Sequence, residues 1–258
     1  MSGEVLLVGE PDGTANRLVG ALARLVAEIP PGDFALIGGL AVMTRLGRVH
    51  RATDDLDAAA QSLADGPSRL SILVGGGDSG LERRPIDGVT VDCIDVGVTP
   101  AAGIDPEHLP DDSFDRAFLL AHRWALDTAT EAVLTVRSVE GRPIATVTCR
   151  VATPAALVAM KLQSAPRRRT ERAHKGPNDY GDLYALLNHT ESMIGIAADL
   201  PDAPQGLGQW CIERIELEFI TDAGRTARAI RNSMLTDPPN PDDIERLGRS
   251  VLRRLTGR

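Results

Sequence analysis

The chain has 258 residues, 43% of them hydrophobic and only 3% aromatic, with a formal net charge of −8. That length and apolar content support one large or two modest packed domains, with cores built mainly from Ala, Leu, Val and Ile. The acidic balance excludes a protein that coats nucleic acid non-specifically, but leaves room for an RNA held by a local basic patch. Cys93, Cys149 and Cys211 are widely spaced and form no ligand motif. They read as small buried residues of a reducing compartment. No run approaches membrane-spanning length. The opening MSGEVLLVGEPDG lacks the basic and apolar regions of a signal peptide, so the expected location is the cytoplasm, with no membrane partner.

Residues 14–29 show helical apolar spacing after Thr14, a plausible cap, and Pro30-Pro31-Gly32-Asp33 breaks that helix. The most informative stretch follows. A short apolar strand, Phe34 to Ile37, meets Gly38-Gly39, then a helical segment from Leu40 to Leu46. Arg45, Arg48 and Arg51 come next, and Thr53-Asp54-Asp55-Leu56-Asp57 opens a second strand that runs towards Ala64. On a strand, Asp55 and Asp57 share one face while Leu56 turns to the other. Two carboxylates so placed repel unless a cation lies between them, and hard ions such as Mg²⁺ favour such oxygen ligands. A glycine turn ahead of a helix leaves backbone N–H groups for a phosphate. An Asp-x-Asp pair alone also fits a solvated acidic turn; the glycine pair, the arginine and the acids in this order point to a metal and phosphate site.

Further along, Ser71 to Val74 reads as a short strand and Gly75 to Gly80 as a glycine-rich loop without the lysine of a P-loop. Gly88 to Val96 alternates and reads as a strand bearing Asp92 and Asp95, which face opposite sides. Residues 100–113 read as a loop and Ser113 to Thr128 as an amphipathic helix, with His122 and Trp124 as packing or rim residues. Ala132 to Val139 and Pro143 to Val151 form a predicted hairpin around Gly141. Thr153 and Pro154 then start an apolar helix that carries Lys161 and is expected to end at Pro166.

Of 28 cationic residues only Lys161 and Lys175 are lysines, which marks them as places needing a compact ammonium. Arg167, Arg168, Arg169, Arg172 and Lys175, with His174 among them, form a basic run that is either a solvated loop or an RNA-gripping patch. Asp179 and Asp182 are three apart, hence neighbours on one helical face. The remainder reads as helical: Leu207 to Ala223, Thr226 to Leu235, and Asp242 to Leu255 after the break at 237–241. The Arg-rich end, Arg249, Arg253, Arg254 and Arg258, reads as an exposed face.

The stretch Gly38, Gly39, Arg51, Thr53, Asp55, Leu56, Asp57 resembles the first motif of the DNA polymerase β-type nucleotidyltransferase superfamily. The nearer likeness is to its AbiEii-like branch, which includes the MenT-type toxins. Gly-Gly stands where many superfamily members have Gly-Ser, so their serine contact to phosphate is absent here. The likeness continues with gaps to Leu187, through Lys161 on its helix and the segment Asp179-Tyr180-Gly181-Asp182-Leu183. The family usually places lysine next to the first acid, whereas Gly176-Pro177-Asn178 intervene after Lys175.

The resemblance implies an α/β fold: a nucleotidyltransferase-type mixed sheet with flanking helices over 1–152, then a helical C-terminal region over 153–258. It implies transfer of a nucleoside monophosphate from a nucleoside triphosphate to an acceptor hydroxyl. Asp55, Asp57 and Asp92 would be the carboxylates for two Mg²⁺ ions; Asp92 follows Val89-Thr90-Val91, where the superfamily often has its third acid, and is preferred over Asp95. Gly38, Gly39, Arg51 and Thr53 would contact the triphosphate and Lys161 the triphosphate or the leaving pyrophosphate, with Asp182 positioning Lys161 or an arginine. By the same likeness the acceptor is a tRNA 3′ end, contacted through Arg167, Arg168, Arg169 and Arg172, and the chain is the toxin of a pair with an antitoxin protein. A small-molecule nucleotidyltransferase of the antibiotic-modifying kind, or a catalytically inert partner-binding relative, fits the same residues.

Overall fold

The computed structural model describes residues 3–10, 12–75, 83–171, 176–232 and 238–257; of 3–6, 83, 84, 168–171 and 176 it describes the backbone alone. The chain divides into two compact units. The first comprises residues 1–100 and 125–153, and the second 101–124 and 154–258. The last break falls after Thr153, and residues 101–124 belong with the C-terminal helices.

The first unit is α/β. Its strands are β1 (Gly3–Val8), β2 (Phe34–Ile37), β3 (Asp55–Gln61), β4 (Arg83–Ile86), β5 (Val89–Val96), β6 (Thr130–Arg137) and β7 (Pro143–Val151). They form one mixed sheet in the order β1-β6-β7-β2-β3-β5-β4. β1 with β6, β2 with β7 and β3 with β5 are parallel pairs; β6–β7, β2–β3 and β4–β5 are antiparallel. The expected hairpin is therefore β6–β7, closed through Ser138 and Arg142 around Gly141.

Helix α1 (Thr14–Glu28) packs on β7 and β6, burying Leu18, Val19, Leu22 and Leu25. Its cap position is Gly13, with no side-chain cap bond, so Thr14 is the first helical residue rather than the cap. Helix α2 (Gly38–Leu46) follows β2 without a loop and ends at Gly47 in the left-handed region. The expected strand at Ser71–Val74 is instead a short helix, α3 (Arg69–Leu73). Ser68 starts it by accepting from the Ser71 N–H at 3.0 Å. Of the glycine loop at 75–80, residues 76–80 lie outside the described residues.

Helix α4 (Ser113–Thr128) runs from the second unit into the first. The second unit continues with α5 (Pro154–Glu171), α6 (Gly176–Asn188), α7 (Thr190–Asp199), α8 (Leu207–Glu216), α9 (Ala223–Arg231) and α10 (Pro241–Thr256). α5 packs on α6, α7 and α8, and α9 packs on α6 and α10. Three details depart from expectation. α5 continues through Pro166 to Glu171. α8 gives way to a π-helical turn, Leu217–Thr221, where one continuous helix was expected. α9 ends at Arg231, and 233–235 lie outside the described residues. α10 opens with a reciprocal cap between Asn240 and Asp243, with Pro241 at its first position. No helix among the described residues is long and apolar enough to cross a membrane.

Candidate functional site

The site is built where β3, β5 and the start of α2 meet. β3 places Asp55 and Asp57 on one face with Leu56 fully buried on the other. β5 lies parallel beside it in a register that sets Asp92 opposite Asp57. One carboxylate oxygen from each of Asp55, Asp57 and Asp92 lies within 4.8 Å of the others; Asp92 is buried and the two β3 acids are half-buried. Asp95, three residues on, is engaged elsewhere: it accepts from the Ser71 hydroxyl at 2.8 Å and the Ser68 N–H at 3.3 Å.

These three acids fit a hard divalent cation. The donors are all carboxylate oxygens, and ligand oxygens around one Mg²⁺ stand roughly 3–4 Å apart, given bonds of about 2.1 Å. The cluster contains no histidine or cysteine, the ligands that select zinc. Thr53 fixes part of the set, its hydroxyl donating to Asp55 Oδ1 at 3.0 Å.

The two glycines have different jobs. Gly38 has φ +70°, the left-handed region that disfavours a Cβ. A Cβ there would lie 2.5 Å from Asp57 Cγ and 2.6 Å from Asp57 Cβ, and closer still to Oδ2. The Asp57 side chain therefore occupies the space that a side chain on Gly38 would fill. A Cβ on Gly39 would meet the Arg51 guanidinium, with Cζ at 2.9 Å. Gly38-Gly39 thus opens α2 between an acid and a cation. The helix start has no side-chain cap, so the positive end of its dipole and its first N–H groups suit an anion.

Of the three spaced arginines, Arg45 is structural. Its Nε donates to Ala152 O at 2.8 Å and its Nη2 to Thr130 Oγ1 at 2.8 Å, tying α2 to the ends of β6 and β7. Burial lowers its basicity below that of an exposed arginine. Arg48 is exposed. Arg51 adjoins Gly39 and donates to Ala52 O at 2.9 Å.

The second unit holds its own charged centre. Lys161 Nζ on α5 lies 2.5 Å from Asp179 Oδ1 and 2.7 Å from Asp182 Oδ2, both on α6. All three are buried. The Ser164 hydroxyl donates to the other Asp179 oxygen at 3.0 Å. Asp179 thus shares the pairing that sequence reasoning gave to Asp182 alone; the spacing of three was the available signal. Nearby, Tyr180 donates to buried Glu218 at 2.8 Å, and Arg214 pairs with the same carboxylate. Nothing in the sequence pattern announces that network. His122 and Trp124 are buried, His122 Nδ1 lying 2.7 Å from Phe118 O.

Arg167 is exposed and pairs with Asp115 at 2.6 Å, a contact worth little in water. The side chains of Arg168 and Arg169, and all of Arg172, His174 and Lys175, lie outside the described residues. No family model, curated protein or solved structure matches the chain.

Proposed function

We propose that the protein is a metal-dependent nucleotidyltransferase. The observation that carries this reading is the convergence of Asp55, Asp57 and Asp92 beside the Gly38-Gly39 start of α2. An all-oxygen acid cluster and an uncapped helix start serve the two demands of the chemistry: a cation for a polyphosphate, and donors for its anionic oxygens.

Asp55, Asp57 and Asp92 would hold Mg²⁺, which when bound polarises the phosphates and favours ionisation of the acceptor hydroxyl. Thr53 keeps the Asp55 carboxylate oriented. The first N–H groups of α2, with Arg51, take charge from the phosphate chain. The acceptor oxygen attacks the α-phosphorus and forms the new phosphoester bond. The bond from that phosphorus to the bridging oxygen breaks, pyrophosphate leaves with the electron pair, and a carboxylate of the cluster takes the hydroxyl proton. The resemblance to the AbiEii-like branch assigns Lys161 to the triphosphate and Asp182 to positioning it. It also assigns tRNA as acceptor and an antitoxin as partner. The net charge of −8 favours a small-molecule acceptor as the second reading.

The test incubates the protein with Mg²⁺, each labelled nucleoside triphosphate and total tRNA. Label in tRNA that disappears with Asp57→Ala supports the first reading. Label found only on small hydroxyl compounds moves the acceptor to the second. Absence of transfer to any acceptor, together with absence of Mg²⁺-dependent nucleotide binding by calorimetry, refutes the enzyme.

A further inference from the structure

The first unit also contains a cavity of about 380 Å³, of whose lining the transfer chemistry uses Arg51 and Thr53 alone. It is a half-open pocket bordered by the end of β1, the first turns of α1, one side of α2, Val49 and residues 51–54. Its walls are aliphatic: Leu7, Leu18, Leu40 and Met43 are buried, while Val8 and Val49 stand 69% and 54% exposed at the same cavity. Polar residues take part in the lining at Thr14, Arg51, Thr53 and Asp54. Two of these connect it directly to the candidate centre. Thr53 lines the cavity and donates to Asp55. Arg51 lines it and lies against Gly39 at the start of α2.

Resting on the transferase reading above, we infer that this cavity receives the base of the substrate nucleotide. A nucleobase is flat, with apolar faces and hydrogen-bonding edges. It demands aliphatic walls for the faces and a few polar groups for the rim, and the cavity supplies both. Its volume falls within the range of small-ligand pockets, roughly 300–1,000 Å³. Its position matches the ligand's own layout. The triphosphate meets α2 and the acids, the ribose spans the Arg51 and Thr53 side chains, and the base enters between Leu18, Leu40 and Val49. The exposed valines at the cavity are explained by the same ligand, because a bound base covers them. Arg51 then serves both halves of the nucleotide, which makes base recognition and phosphate placement parts of one contact.

The experiment fills the cavity from two walls with Val49→Trp and Val8→Trp. Both positions are exposed, so the melting temperature checks that each variant folds. Calorimetry with Mg²⁺ measures the binding of each nucleoside triphosphate and of inorganic tripolyphosphate, which has the anionic chain but no base. The inference expects wild-type protein to bind its preferred nucleotide at least tenfold more tightly than tripolyphosphate. It also expects both tryptophan variants to lose that margin while binding tripolyphosphate within twofold of wild type. Folded variants that bind nucleotide as wild type does overturn the cavity assignment and leave the transferase reading standing. A wild-type protein that binds neither ligand in Mg²⁺ overturns both.

Discussion

Replacing Gly38 by alanine tests the geometry on which the acid cluster depends. The backbone there has φ +70°, where a Cβ costs roughly 1–2 kcal/mol relative to glycine. The added methyl would also sit 2.6 Å from Asp57 Cβ, an atom fixed to the β3 backbone. The obstacle is therefore not the far end of a flexible chain. Either β3 or α2 must shift, a cost of roughly 1–3 kcal/mol typical of overpacking. The expected destabilisation is about 2–5 kcal/mol, or a fall in melting temperature of about 5–15 °C for a chain of this size.

Trp124 and Trp210 both lie in the second unit, so tryptophan emission is a poor reporter for this change; differential scanning calorimetry is the assay. Mn²⁺ binding, followed by paramagnetic resonance, should weaken at least tenfold because Asp57 moves. Gly39→Ala supplies the control. There the methyl meets the terminal guanidinium of Arg51, which can swing away, and the cost should stay within about 1 kcal/mol. In an Asp57→Gly background, Gly38→Ala should lose the overpacking component and retain only the backbone one, a coupling that a double-mutant cycle resolves. A Gly38→Ala protein that melts within 2 °C of wild type with unchanged Mn²⁺ affinity would refute the reasoning.

Asp92→Asn should leave the metal-free protein at or above wild-type stability, since it removes like-charge repulsion among three clustered acids. On the proposed function Mg²⁺ should raise the wild-type melting temperature, and Asp92→Asn should abolish that rise; a persisting rise places the ion elsewhere. Lys161→Met should cost roughly 3–5 kcal/mol, because it leaves Asp179 and Asp182 buried without their cation. Tryptophan emission reports that unit, and a loss below about 1 kcal/mol contradicts the burial. The thiols give a pH signature. Burial raises Cys93 from 9.0 to about 11 and Cys149 from 9.0 to about 12, and raises Cys211 as well. The unfolded chain therefore ionises first, and this part of the stability is intact below about pH 9 and lost as pH climbs towards about 11–12. Native protein at pH 8 should resist thiol reagents until denaturant is added; rapid labelling without denaturant would contradict the buried placement.

What was legible in the sequence was local. The alternation of Asp55, Leu56 and Asp57 needs only the two-residue period of a strand, and the glycine pair needs only the turn it permits. What was not legible depended on distant partners. β1 sits at the sheet edge, and its pairing residues lie at 132–137. The aliphatic run at 71–74 has strand composition, but Ser68 caps a helix there, and Ser71 then engages Asp95. Pro166 costs α5 a hydrogen bond, yet the helix continues, and its packing on α6, α7 and α8 is the compensation that composition does not show. The choice between Asp92 and Asp95 lay in between: alternation separates their faces, and only the parallel register of β3 with β5 shows which face meets Asp57.

The lysine argument also changes once the structure is in hand. In an arginine-rich chain the lysine at 161 marks a place for a compact ammonium, and the resemblance makes that place a phosphate contact. The buried Lys161–Asp179–Asp182 centre supplies a second and sufficient reason for the same residue. Two carboxylates three residues apart on α6 converge on one point, and a compact ammonium suits that geometry. Selection for the fold of the second unit and selection for catalysis therefore predict the same amino acid. Retention of lysine is not evidence for either one alone. The acids of the first unit are different. Three carboxylates gathered within 4.8 Å repel one another, a cost to folding that a bound cation would offset. A cation among them is what the proposed activity requires, and that asymmetry makes Asp55, Asp57 and Asp92, rather than Lys161, the residues on which the proposal rests.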